Sequence, residues 1–90
     1  MPTQETTQLA DEPRREPQQL HADLGKHVLR NLGRPSGQHR VQVRQLWPDH
    51  YRVNIFVGLD ASTRIAHSYF LVTDRQGKVL NSTPAITRQY

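Results

Sequence analysis

The clearest pattern of apolar and polar positions lies in residues 50–57, which read HYRVNIFV. Every second residue from Tyr51 to Val57 is apolar, which is the period of two of a half-buried β-strand. Most of these positions hold β-branched or aromatic residues, the types that strands favour. We therefore expect this segment to be the central strand of a small sheet.

Two segments around it predict neighbouring strands. Residues 39–47 alternate valine with arginine and glutamine, and the alternation slips near Gln45, which indicates a bulge or the end of the strand. Pro48 and Asp49 have turn-forming chemistry and separate this strand from the central one. Residues 64–73 predict a third strand. Its alternation assigns one face to Ile65, His67, Tyr69 and Leu71.

The end of the chain predicts a hairpin. Residues 74–77 read DRQG, and Gly77 can adopt the positive φ that closes such a turn. Residues 78–82 then return as a fourth strand. Pro84 cannot donate to a ladder, so the residues after it are expected to form an edge or a tail.

Between residues 18 and 32 the apolar period changes to that of a helix. The apolar stripe consists of Leu20, Leu24, Val28, Leu29 and Leu32. Pro17 suits the first helical position and Gly33 suits the residue just past the end. A sheet face is the expected partner of this stripe, and the same stripe on another copy of the chain is the alternative.

Together these patterns predict an α+β fold in which one N-terminal helix packs on a three- or four-stranded antiparallel β-meander. We expect residues 19–86 to form a single small domain. Residues 1–18 are rich in Gln, Glu, Thr, Pro and Arg, and such a composition predicts a disordered N-terminal tail. This tail could also fold on a partner or on the basic face of the domain. Residues 87–90 are expected to be a C-terminal tail.

Charge is distributed unevenly along the 90 residues, whose formal net charge is +4. Residues 1–24 hold five acids and two arginines (−3), whereas residues 25–90 hold ten basic residues and three acids (+7). Ten of the twelve basic residues are arginine, which suits planar recognition of phosphate or carboxylate. The ordinary alternative is that this charge only keeps the protein soluble.

Several chemistries are disfavoured by the residue types. The chain has no cysteine, and its five histidines (21, 27, 39, 50 and 67) lack the spacing of a helical metal pair, so we expect no metal and no cofactor. The three carboxylates after residue 25 all lie at predicted turns, and no nucleophile or phosphate-loop motif occurs. We therefore expect a protein that is not an enzyme. No apolar run has the length of a signal peptide or a membrane span, which favours a cytoplasmic location.

The second face of the predicted sheet is the best candidate for a function. In the simplest register it combines arginines with two phenylalanines, and the candidate binding residues are Arg40, Arg44, Arg52, Asn54, Phe56, Arg64 and Phe70. Gln42 and Ser68 lie on the same face. Arginines bind phosphates and aromatic rings stack on bases, so this face could bind RNA or another single-stranded nucleic acid.

The competing hypothesis is a protein–protein interaction module. One helix covers only one face of the sheet, and Phe56, Phe70, Val72 and Trp47 could form a self-complementary apolar patch on the other. A homodimer would also enlarge the core of a small domain. We take a homodimerising module as the first expectation and nucleic-acid binding as the alternative.

Two limited resemblances to known families are visible. The segment YFLVTDRQGKVLNSTPAI (69–86) resembles the D-x-x-G hairpin of PAS-like sensor domains, although in that family the hairpin opens the domain and here it comes near the end. The order of one helix and three strands is similar to the start of a double-stranded-RNA-binding domain, whose closing helix is missing here. We assign the chain to neither family.

Overall fold

The computed structural model describes residues 16–90, which form one α-helix, one four-stranded sheet and a short 3₁₀ helix (Asp60–Ser62). The elements are helix α1 (Pro17–Leu32) and strands β1 (His39–Trp47), β2 (His50–Val57), β3 (Arg64–Thr73) and β4 (Val79–Thr83). The strands pair antiparallel in the order β1-β2-β3-β4, which makes a simple meander. This architecture confirms the α+β prediction. The predicted tail lies outside the described residues except for 16–18, and residues 17 and 18 belong to α1.

Helix α1 begins and ends at the residues that the sequence predicts. Pro17 occupies the first helical position, where its missing N–H costs nothing. At the other end, the amide of Gly33 donates to the carbonyl of Leu29 at 2.8 Å. The helix packs its predicted stripe against one face of the sheet, with Leu20 only partly buried, and Gly25 faces Val41 of β1.

The core lies between α1 and the helix-facing side of the sheet. Its buried apolar residues are Leu24, Val28, Leu29 and Leu32 from the helix, Tyr51, Val53 and Ile55 from β2, and Tyr69 and Leu71 from β3. Strand β2 contributes every second residue to this core, as its alternation predicts. Val41, Val43 and Val79 pack at the margins of the core and are only half-buried.

Three irregularities interrupt the sheet, and the last of them lies between Val72 and Thr73, where β3 pairs with β4. The first lies between Gln45 and Trp47, so of the two predicted alternatives the strand has the bulge and continues to Trp47. The second lies opposite Ile55 and Phe56 on β3, where no sequence signal indicates it. Because of this second shift, Ile65 lies opposite Phe56 rather than on the helix-facing side. The predicted face of Ile65 is therefore wrong, and its side chain is 52% exposed.

The turn between β3 and β4 is organised by the side chain of Asp74. Its carboxylate accepts hydrogen bonds from the backbone amides of Gln76 and Lys78, both at 2.9 Å. Gly77 has the predicted positive φ, 89°. Hydrogen bonding from the Lys78 amide, followed by those of Gln76 and Gly77, lowers the pKa of Asp74 below its ordinary value.

This lowered pKa predicts a pH-dependent contribution of Asp74 to stability. A carboxyl group with a depressed folded-state pKa stabilises fully above its unfolded pKa of about 3.9, and this stabilisation is lost as the pH falls through the folded value. We expect Asp74→Asn to lower the free energy of unfolding at neutral pH and to differ less from the wild type below about pH 4. Urea unfolding at several pH values measures this difference. A difference in the free energy of unfolding between wild type and Asp74→Asn that stays the same at every pH would contradict the expectation.

The residues after β4 return to the helix. The amides of Gln89 and Tyr90 both donate to the carbonyl of Leu32, at 2.8 and 3.2 Å. The Tyr90 hydroxyl lies 2.8 Å from Nε2 of His67. Residues 89–90, which the sequence assigns to a tail, therefore satisfy a carbonyl at the end of α1.

Candidate functional site

The side of the sheet that faces away from α1 forms one continuous surface, which we call the open face. Residues directly opposite each other on paired strands point to the same side, so the register defines its members. They are Arg40, Gln42, Arg44 and Trp47 of β1, His50, Arg52, Asn54 and Phe56 of β2, Ile65, Ser68, Phe70 and Val72 of β3, and Asn81 and Thr83 of β4.

A ladder of hydrogen bonds crosses the centre of the open face. The amide of Asn54 donates from Nδ2 to Oε1 of Gln42 at 3.2 Å and accepts at Oδ1 from the Ser68 hydroxyl at 2.6 Å. Arg52 donates from Nη1 to the same hydroxyl oxygen at 3.3 Å. These contacts fix side chains of three strands relative to one another, so the middle of the face is preorganised.

Arg40 and Phe56 form a stacked pair at one end of the face. The guanidinium carbon of Arg40 lies 4.5 Å from the centroid of the Phe56 ring, within the range of a cation–π contact. Phe56 is therefore half-buried beneath an arginine, and the exposed Ile65 lies opposite it on the next strand. The planar guanidinium forms the outer layer of this stack.

The other end of the face carries an aromatic cluster. The rings of Trp47 and His50 stack with centroids 4.7 Å apart, and Phe70 lies 6.0 Å from Trp47 and 5.7 Å from His50. The carbonyl of Pro48 lies 2.7 Å from Nδ1 of His50 and orients the imidazole. Trp47 is 53% exposed, so it presents a large free ring surface beside Phe70.

The electrostatics of the open face are one-sided. None of the four strands contains an aspartate or a glutamate, whereas β1 and β2 place Arg40, Arg44 and Arg52 on this face. Arg44 lies directly opposite Arg52. Like charges at directly opposite positions on paired strands are unfavourable, so this arrangement favours an anion bound near both side chains.

The structure brings together six of the seven predicted binding residues: Arg40, Arg44, Arg52, Asn54, Phe56 and Phe70. Arg64 does not join them, because the register shift in β3 places it opposite Val57 on the other side of the sheet. His50 and Ile65 also lie on the open face, although the predicted binding residues do not include them. His50 has the same parity as Arg52 and could have been found, whereas Ile65 reaches the open face only through the bulge.

Other kinds of site have less support in the described part of the chain. Among residues 16–90, no three His, Asp or Glu side chains group so that they could hold a metal ion. The histidines are dispersed, and burial followed by the nearby Arg30 charge lowers the pKa of His27 on α1. The helix that the structure describes is too short and too polar to span a membrane.

Fold and surface together define a small α+β protein whose sheet has one face covered by a helix and one open face of arginines and aromatic rings. No protein-family model matches the chain, and no curated protein or solved structure is significantly similar to it.

Proposed function

We propose that this protein is a non-catalytic binding protein that takes up single-stranded nucleic acid on its open face. The observation that carries the proposal is the acid-free sheet on which Arg44 and Arg52 lie directly opposite each other. A phosphate group between them relieves the repulsion and accepts charge-assisted hydrogen bonds from both guanidiniums.

The aromatic groups supply the second element of such a surface. Trp47 presents an exposed ring next to Phe70, and the guanidinium over Phe56 is itself a planar stacking surface. Stacking of a base on an aromatic side chain contributes roughly 1–3 kcal/mol and tolerates any base. Arginines between the two stacking regions would then bind the phosphates of the nucleic-acid backbone that links the stacked bases.

The width of the sheet favours a single strand over a duplex. Four strands at about 4.8 Å spacing make a sheet about 14 Å wide before side chains are added. The major groove of B-DNA is about 12 Å wide and admits a helix or a two-stranded ribbon. The unpaired bases of a single strand can lie flat on the open face, whereas the bases of a duplex are stacked and paired with one another and cannot.

A homodimerising module is the second candidate, and the exposure of Trp47 and Ile65 on the open face favours it. The positive charge of the open face is unfavourable for such a dimer. A two-fold dimer packs a patch against its own copy. Each copy would bring Arg40, Arg44 and Arg52 into the interface, and neither sheet has an acid to pair with them. An anionic partner has no such cost.

Fluorescence anisotropy with labelled single-stranded RNA, single-stranded DNA and duplex DNA tests the proposal. We expect tighter binding to the single strands and a steep loss of affinity with salt, with a slope of about −0.7 for each phosphate contact. Arg44→Ala and Arg52→Ala should each weaken binding about tenfold, because a hydrogen bond to a charged group contributes roughly 1.5 kcal/mol.

Arg64→Ala is the matched control, because it removes the same charge from the same sheet but away from the open face. It should leave the affinity unchanged. Equal losses for Arg52→Ala and Arg64→Ala would show attraction by net charge alone and contradict the proposal. Absence of binding at low salt, with a dimer in sedimentation that tightens as salt is added, would instead support the homodimer.

A further inference from the structure

A second surface lies on the other side of the sheet, along its free edge. Strand β1 pairs with β2 on one side and, among residues 16–90, with no strand on the other. Its outer edge therefore offers backbone N–H and C=O groups to a further strand. Next to this edge, α1 and β1 enclose a groove of about 350 Å³.

The floor of the groove is apolar. It consists of Ala22, Gly25 and Leu29 from α1 and Val41 and Val43 from β1. A Cβ at Gly25 would lie 3.2 Å from Cγ1 of Val41, so glycine permits the close approach of helix and strand at this point. The two valines nevertheless stay only half-buried, because nothing among the described residues covers them from the edge.

The rim of the groove is basic. Lys26 lines it and also lines a second hollow of about 290 Å³ further along the helix, together with Leu29, Arg30 and Arg34. All three basic side chains are exposed. An apolar floor with a cationic rim beside a free strand edge fits an extended segment that carries an apolar residue and a carboxylate.

We propose that the occupant is the N-terminal segment of the chain itself, residues 5–12, which adds to the edge of β1 and fills the groove. Residues 1–13 contain three acids and no basic residue. In an extended segment alternate side chains share a face, which places Glu5, Leu9 and Asp11 on the same side. Leu9 then meets the valine floor and Glu5 meets the basic rim.

The length of the segment and its point of attachment permit this placement. Helix α1 begins at Pro17, and His21 in its second turn already lines the groove. The 16 residues of the helix span about 24 Å at 1.5 Å each. The fifteen residues before Glu16 reach up to about 50 Å when extended. The segment can therefore reverse at the helix start and run back along the whole groove, parallel to β1.

The groove lies on the helix-bearing side of the sheet and shares no residue with the open face. This proposal is therefore independent of nucleic-acid binding. Backbone hydrogen bonds to β1 would supply the affinity and Leu9 the specificity, as in other cases of strand addition. The half-buried Val41 and Val43 would become part of an enlarged core.

Paramagnetic relaxation in the full chain tests the placement. The protein has no cysteine, so Gln8→Cys creates a unique site for a nitroxide label next to Leu9. We expect the backbone amide signals of Lys26, Leu29 and Val41 to lose most of their intensity, while those of Asn54 and Ser68 on the open face keep theirs. Loss centred on Asn54 and Ser68, or spread evenly over the surface, would overturn the proposal.

Two variants of the labelled chain show whether the contact is specific. Leu9→Ser should restore the signals of Lys26 and Val41, and Ala10→Ser, on the opposite side of the segment, should not. A mixture of labelled unenriched protein and unlabelled ¹⁵N protein tests the source. Signal loss at Val41 in this mixture would assign the segment to a neighbouring copy and overturn the intramolecular placement.

Discussion

Replacing Ile55 by alanine is expected to lower the free energy of unfolding by about 2–5 kcal/mol, whereas the same change at Ile65 is expected to be nearly neutral. Ile55 is fully buried at the centre of β2, against the helix. Ile65 lies one strand away and is 52% exposed, because the bulge in β3 turns it to the open face. The two variants remove the same atoms, one from the core and the other from the exposed side of the sheet.

A domain of about 75 residues has a total stability of about 4–11 kcal/mol, so Ile55→Ala should remove a large part of it. Urea unfolding followed by circular dichroism measures both variants. If Ile65→Ala proves as destabilising as Ile55→Ala, the register of β3 is the one that simple alternation predicts, and Arg64 rather than Ile65 belongs on the open face.

Gly33→Ala is the second change with a large expected effect. Gly33 ends α1 with φ 92° and ψ 160°, a combination that only glycine adopts readily. A Cβ there would also lie 2.5 Å from the carbonyl oxygen of Tyr90, so the returning C-terminal residues would have to move. We expect a loss of more than about 2 kcal/mol, from backbone strain of about 1–3 kcal/mol together with the displaced contacts.

Gly37→Ala separates the two contributions. Gly37 has a similar φ of 80°, but a Cβ there would meet nothing within 4 Å. Its substitution should therefore cost the backbone strain alone. Thermal unfolding of both variants gives the difference, and the His67 ring signals report whether Tyr90 has been displaced. Equal losses would mean that the contact between Gly33 and Tyr90 contributes nothing to stability.

The two proposed surfaces divide the sheet between different partners. The open face combines arginines with aromatic rings, and the groove at the edge of β1 combines valines with a basic rim. Acids in the described chain lie on or before α1 and in the connections between strands, so neither surface is neutralised by its own strands. The basic charge of the protein is therefore concentrated where a phosphate or a carboxylate can reach it.

Much of the candidate site follows from alternation alone. Arg40, Arg44, Arg52 and Asn54 have the parity that places them opposite the core, and the structure brings them together. Alternation fails for Arg64, because one extra residue in a strand reverses the face of everything before it. The sequence has no glycine or proline in β3 that would indicate such a bulge.

The sequence by itself determined the helix and an antiparallel meander of three or four strands, since these depend on local periodicity and on turn residues such as Pro48 and Gly77. The tertiary structure decided which strand positions meet. It set Arg44 opposite Arg52, stacked Trp47 on His50 and left an apolar groove beside Gly25. These features depend on register and on the distance between packed elements, and neither is a property of a single segment of chain.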